Sequence, residues 1–435
     1  MPSLMQPCQQ HLQTKDDVTA WLALVRKIDH CEVTPLSLKD SQAWALQNGA
    51  ITHQSGRFFN IVGLTWTQAG EPHWQPFIEQ REVGTLGFIA RRSADGFDLL
   101  VQAKTEPGNV GLTHLGPTCQ ATASNRDCVH GGEAPPYVDY FVAPASNVVS
   151  DSLQSEQGTR FLAKHNQNIV ILDAQALAED AQHRWMPFDL FKQLLLENFR
   201  VNTDARSVLC TTDWVRLLGR LPFQGEDAFS QDLHASFCAP VRPAVTDHVH
   251  ARLQAMRAAA PQVAVCALED MPGWQLATDH PVILTNGHQS IRHIRVHAKT
   301  REVCDWNQPI FDSHAEQAVD LDCGRSHGLL QFALRPCWEP GLSAVAELAP
   351  TRMTALSTQT HAGEDDSEVR LQVRQSDEGG RFYQDVACYR ILDVGETRSD
   401  DLVIWLTLAE IKVLLPLGLF NNETRSALSL LLSLA

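Results

Sequence analysis

The residues with most chemical promise form one block, Gln102-Ala103-Lys104-Thr105-Glu106-Pro107-Gly108-Asn109. Lys104 stands at the end of an expected strand, before a turn. A lysine there can donate to an oxyanion, bind a phosphate, or act as a base when burial lowers its pKa. Glu106 is a second candidate, as a base or as a carboxylate that ties down the turn. Further along, His130 offers the side chain that carries protons at neutral pH, and Tyr137 offers a phenolic donor. Thr118, Gln120, Thr122, Ser124 and Asn125 make a row of short polar groups. In an extended segment alternate members face one way, so Gln120, Thr122 and Ser124 would share one wall.

An internal repeat must position these groups. Gln75-Pro76, Glu106-Pro107-Gly108 and Pro117-Thr118 recur 233 residues later as Gln308-Pro309, Glu339-Pro340-Gly341 and Pro350-Thr351. Arg160-Phe161 recurs as Arg381-Phe382 at a separation of 221, and Asn202 with Arg206 recurs as Asn421 with Arg425 at 219. The first copy therefore carries twelve extra residues between Thr118 and Arg160, in the stretch that holds His130 and Tyr137. Lys104 does not recur, because Cys337 stands at its matched position, and Met353 stands where Gln120 would.

Strands are expected at 97–103, 169–172, 329–334 and 389–394. Helical spacing joins Phe188, Phe191, Leu194 and Leu195, and again Leu408, Ile411, Leu414 and Leu415. A helix through Val245, Val249, Leu253 and Met256 lies between the copies, and the proline-bearing stretch 221–244 reads as a linker. The expected fold class is α+β, with a first repeat over 1–225 that holds the chemistry. The second, over 226–435, would be structural or an accessory nucleotide site.

With 435 residues the chain exceeds one ordinary core. A net charge of −16 excludes a basic footprint for nucleic acid or an anionic membrane. The longest apolar run, 413–420, is too short to span a bilayer. No apolar segment follows Met1, so no signal peptide is expected. Eleven cysteines without a CxxC or Cys/His spacing suggest free thiols in a reducing cytoplasm. His248, His250, His288, His293 and His297 lack metal-site spacing and are expected at the surface.

The block around Lys104, with Leu115, Pro117-Thr118, Gln120-Ala121-Thr122, Ser124-Asn125, Val129-His130-Gly131, Pro136-Tyr137, and Gly380-Arg381-Phe382-Tyr383 in the second copy, resembles the NDP-hexose 2,3-dehydratases. That resemblance spans roughly residues 50 to 430. It implies two tandem Nudix-like domains, a homodimer, and a TDP-linked 4-keto-6-deoxyglucose substrate that loses its C2 hydroxyl. A 3-ketoreductase would then trap the product. It also implies that Asn109, Thr118, Gln120, Thr122, Ser124 and Asn125 bind substrate. Arg160, Lys164 and Arg206 become candidates for the diphosphate, since a guanidinium fork fits phosphate oxygens. Two departures stand out: Arg126 follows Ser124-Asn125 where the family has an aromatic, and Arg352-Met353 follows Thr351 where it keeps a glutamine.

Such an elimination needs a base near C3, a donor on the C4 oxygen and an acid for the departing hydroxyl. It is redox-neutral. Neither a GxGxxG cradle nor a Walker loop is found, so no cofactor and no metal are expected. The alternatives are a non-catalytic sugar-nucleotide-binding protein and a Nudix-type diphosphate hydrolase. The hydrolase lacks support because Arg81-Glu82-Val83-Gly84 has no following Glu-Glu pair.

Overall fold

A computed structural model describes residues 12–94, 96–128, 133–142, 147–173, 177–300, 303–313, 316–355, 368–398 and 400–435. The chain is mixed helix and sheet, and its strands fall into two large and two small sheets.

The first large sheet runs Val148–Ser155, His165–Leu172, Val83–Ser93, Gly96–Thr105, His183–Pro187. The second runs Glu368–Ser376, Val386–Glu396, Gln317–Ser326, Leu329–Trp338, with Ile404–Leu406 and Ala346–Ala349 on the last strand. The order is the same in both. So is the parallel pair, His165–Leu172 on Val83–Ser93 and Val386–Glu396 on Gln317–Ser326. The four strands expected from the sequence lie within these sheets, and the two apolar stripes become helices Phe188–Leu194 and Leu408–Leu414.

The stretch read as a linker differs from expectation. It contains helix Ala228–Cys238, capped by Asp227, which buries Phe229, Leu233 and Phe237 and packs on Leu329–Trp338. Its prolines flank the helix rather than interrupt it, which is where prolines are tolerated.

The small sheets exchange strands. Glu32–Pro35 of the first repeat pairs with Ser290–His297 of the second. Ala264–Cys266 of the second pairs with Asn60–Gln68 of the first. A cut at 225/226 therefore separates each small sheet from one of its strands.

Contacts between repeats are reciprocal. Gly108 N–H donates to the Gly379 carbonyl and Gly341 N–H to that of Gly158. Helices Thr203–Cys210 and Asn422–Ser429 pack together, every residue of both being buried. Arg206 is fully buried here and donates to the carbonyls of Leu195, at 2.7 Å, and Val201. The largest apolar cluster continues through both repeats, from Phe88 and Leu115 to Phe332 and Phe420.

Candidate active site

A cavity of about 550 Å³ opens between the repeats. Its first wall is the end of strand Gly96–Thr105, the turn at Glu106-Pro107, and strand Cys119–Ala121 with the short helix Ala123–Arg126. Lys104, 8% exposed, donates from Nζ to the Gln120 carbonyl at 3.2 Å. Glu106, 3% exposed, accepts from Gln120 Nε2 at 2.9 Å and Asn109 Nδ2 at 3.2 Å. Gln120 in turn accepts from Asn202 Nδ2 at 3.0 Å. Asn202 caps helix Thr203–Cys210 through its side-chain oxygen, so this chain of amides ties Glu106 to a helix N-terminus.

The expected extended row bends. Thr122 caps Ala123–Arg126, accepting the Asn125 N–H, and its hydroxyl meets that of Ser124 at 2.8 Å. Gln120, Thr122, Ser124 and Asn125 nonetheless all line the cavity, as do Lys104, Glu106 and Lys164. Lys164 is buried with no hydrogen bond from Nζ, held by an ion pair to Glu82 at 3.6 Å. Burial pulls its pKa down, against Glu82 and Glu156.

Three further carboxyls, not singled out in the sequence, complete the floor. Glu156 accepts from Asn166 and from the second repeat's Asn422, both at 2.7 Å. Asp204 sits in the first turn of its helix, and Glu378 comes from the second repeat. Burial pushes Glu156 and Asp204 above the usual carboxylate range. Burial also raises Glu378 to about 7, helped by Glu106 and opposed by Arg381. Aromatic side chains Trp44, Phe58, Phe59 and Trp306 line the same cavity. Arg381 stacks over Phe59 at 4.2 Å, and its Nε has no hydrogen-bond partner.

A sequence profile of the NDP-hexose 2,3-dehydratases matches residues 15–211 and again 246–431. The chain belongs to that family. Three relatives are each called dTDP-4-dehydro-6-deoxy-alpha-D-glucopyranose 2,3-dehydratase. That of Saccharopolyspora spinosa is 31% identical over 412 residues, 88% of this chain and 84% of its own. That of Streptomyces violaceoruber is 30% identical over 419 residues, covering 90% and 91%. That of Amycolatopsis orientalis is 28% identical over 442 residues, covering 95% and 89%.

Within this dehydratase several expected site residues lie elsewhere. Thr118 is 1% exposed and bridges two strands, accepting the Ile89 N–H and donating to the Leu100 carbonyl. Thr351 makes the same bridge between Asp322 and Ala333, so the repeated Pro-Thr is scaffold. Asn109 is buried against Gly379 at the repeat interface. Arg206 binds carbonyls in the core, away from the cavity lining. Arg160 pairs with Asp385 at 3.9 Å; it is Arg381, its repeat partner, that lines the cavity. Tyr137 donates to the Ala178 carbonyl at 2.7 Å, packs on His183, is pushed up to about 12 by burial, and is not among the residues that line the cavity. It packs with Val138 and Phe141 in an apolar cluster with Ile89, Leu100 and Trp185. His130 lies outside the described residues. His293 is buried, not at the surface, and bonds Asn307 at 2.8 Å. Among the described residues no cluster of three or more His, Cys, Asp or Glu suits a metal ion.

Proposed function

We propose that the chain removes water across C2–C3 of a dTDP-linked 4-keto-6-deoxyglucose. The observation that carries this reading is Lys104, buried at the end of its strand with its ammonium at a cavity that also holds Glu106. Lys104 donates to the C4 oxygen and stabilises the enolate that forms when the C3 proton leaves. Glu106, aimed by Asn109 and Gln120, takes that proton. The enolate expels the C2 hydroxyl, and the enol product becomes a 3,4-diketo-2,6-dideoxyhexose nucleotide. Arg381 and Lys164 neutralise the diphosphate; Gln120, Thr122, Ser124 and Asn125 hold sugar hydroxyls. The second repeat lacks the lysine and glutamine, so the chemistry belongs to the first.

The same reading takes each repeat as a Nudix-like domain, divided near 225/226, in a cytoplasmic homodimer whose unstable product passes to a 3-ketoreductase. The repeated helix-and-sheet order and the two family-profile segments support the duplication in this reading. No described helix is long and apolar enough to cross a membrane.

The test is to incubate the chain with dTDP-4-keto-6-deoxyglucose, a 3-ketoreductase and NADPH. A dideoxy nucleotide sugar with loss of one water is expected. Release of dTMP, or recovery of unchanged substrate with no NADPH consumed, would refute the reading.

A further inference from the structure

The elimination also needs an acid, because hydroxide is a poor leaving group, and neither Lys104 nor Glu106 in the roles above supplies that proton. The cavity floor holds three carboxyls left without a task. Asp204, 4% exposed, lies in the first turn of helix Thr203–Cys210. Glu156 lies beyond strand Val148–Ser155, and Glu378 arrives from the other repeat. Lys164, buried beside them with its Nζ free of hydrogen bonds, marks the same volume as a place for a polar ligand.

We propose that Asp204 is the acid of this reaction: it gives its proton to the C2 hydroxyl as that group leaves, while Glu156 and the second repeat's Glu378 share the proton with it beforehand. This inference rests on the dehydratase reading.

Carboxyls crowded in a desolvated site cannot all ionise. Asp204 is raised first by burial, then by Glu156, Glu378 and Glu106, with Lys104 opposing. The cations facing the trio are Lys104, Lys164, Arg381 and, from helix Asn422–Ser429, Arg425, which acts on Glu156; the further carboxyls facing it are Glu106 and, from that same helix, Glu423. Arg425 is committed elsewhere, donating to Ser207 and to the carbonyls of Phe420 and Ser155. The balance closes. The C3–H bond breaks and its proton goes to Glu106; the C2–O bond breaks and the oxygen leaves as water with the proton of Asp204. Proton return from Glu106 to Asp204 restores the cluster, and no electrons are gained or lost. The second repeat thus contributes to the first repeat's site, through Glu378.

The experiment follows dTDP-4-keto-6-deoxyglucose in D₂O by NMR, reading C3 exchange and water loss separately. Asp204→Asn is expected to keep C3 exchange within about threefold while elimination falls about 10²-fold or more. Elimination within threefold of the parent, or equal loss of exchange and elimination, overturns the inference. Parent protein that exchanges C3 but never loses water refutes the dehydratase reading instead. Should Asp204→Asn not fold, Glu378→Gln serves. Removing one competing carboxyl should move the basic limb of the elimination profile down by about one pH unit. An unmoved limb overturns the inference.

Discussion

Replacing Lys104 by methionine keeps a stem of similar length and removes the charge and the donor. The stem matters, because the side chain is 8% exposed. Truncation to alanine would also lose three buried methylenes, about 2 kcal/mol, and confuse folding with catalysis. In Lys104→Met the folding loss reduces to the bond with the Gln120 carbonyl, about 1 kcal/mol. The melting temperature should fall by no more than about 4 °C. Turnover should fall by about 10²–10³, or roughly 3–4 kcal/mol, the usual cost of one preorganised donor to a developing oxyanion. Cys337 provides the control at the matched position. Burial pushes its thiol up to about 11, so it is neutral at pH 7 and cannot replace an ammonium. Cys337→Ala should change turnover less than about threefold, near 0.6 kcal/mol. The assay is single-turnover water loss coupled to the 3-ketoreductase. A near-native Lys104→Met enzyme, or an inactive but folded Cys337→Ala enzyme, would show that the active half is misassigned.

Three further outcomes are expected. Glu106→Gln should lose C3 exchange and turnover together by about 10² or more; exchange that survives in this variant would remove Glu106 as the base. Burial raises Glu339, Glu347 and Asp377 to about 7 and Glu423 to about 8, from 4.5 for the glutamates and 3.8 for the aspartate. Folded values above unfolded ones mean stability that is full below about pH 4 and lost as pH rises through 7–8. The melting temperature should therefore fall between pH 6 and 9, and a rise across that window would contradict the burial argument. Gly108→Ala would bring a Cβ to 1.7 Å from the Phe382 carbonyl oxygen, and Gly341→Ala to 1.9 Å from that of Phe161. Both close on backbone, so each should cost more than about 4 kcal/mol; a soluble variant melting within a few degrees of the parent would rule out this tight reciprocal packing.

The repeat was legible because paired residues keep nearly constant separations, and topology follows them strand for strand. Lys104, Glu106, Gln120, Thr122, Ser124, Asn125 and Lys164 stood out in the sequence as candidates, and all line one cavity. The repeated arginines were harder. A guanidinium suits both a phosphate and a cage of carbonyls, and only burial separates Arg206 from Arg381. Tyr137 looked catalytic because it sits in the first repeat's surplus. In the structure Val138 and Phe141 of that surplus cover Ile89, Ile169 and Trp185. The second repeat carries Asp322, Arg390 and Trp405 at the matched positions.

By itself the sequence determined the duplication, the family and the wall that carries Lys104 and Glu106, because each of these is encoded in local order and spacing. Tertiary structure alone decided the strand exchange between small sheets. Glu32–Pro35 and Ala264–Cys266 are only 4 and 3 residues long, too short for a periodicity to reveal a partner. It alone also decided the floor of the cavity. Glu156, Asp204 and the turn that holds Glu378 and Arg381 come from three segments far apart in the chain and look locally like loop or helix-end charges. Their proximity, and with it the raised proton affinity of the three carboxyls, exists only when the two repeats close on each other and exclude water.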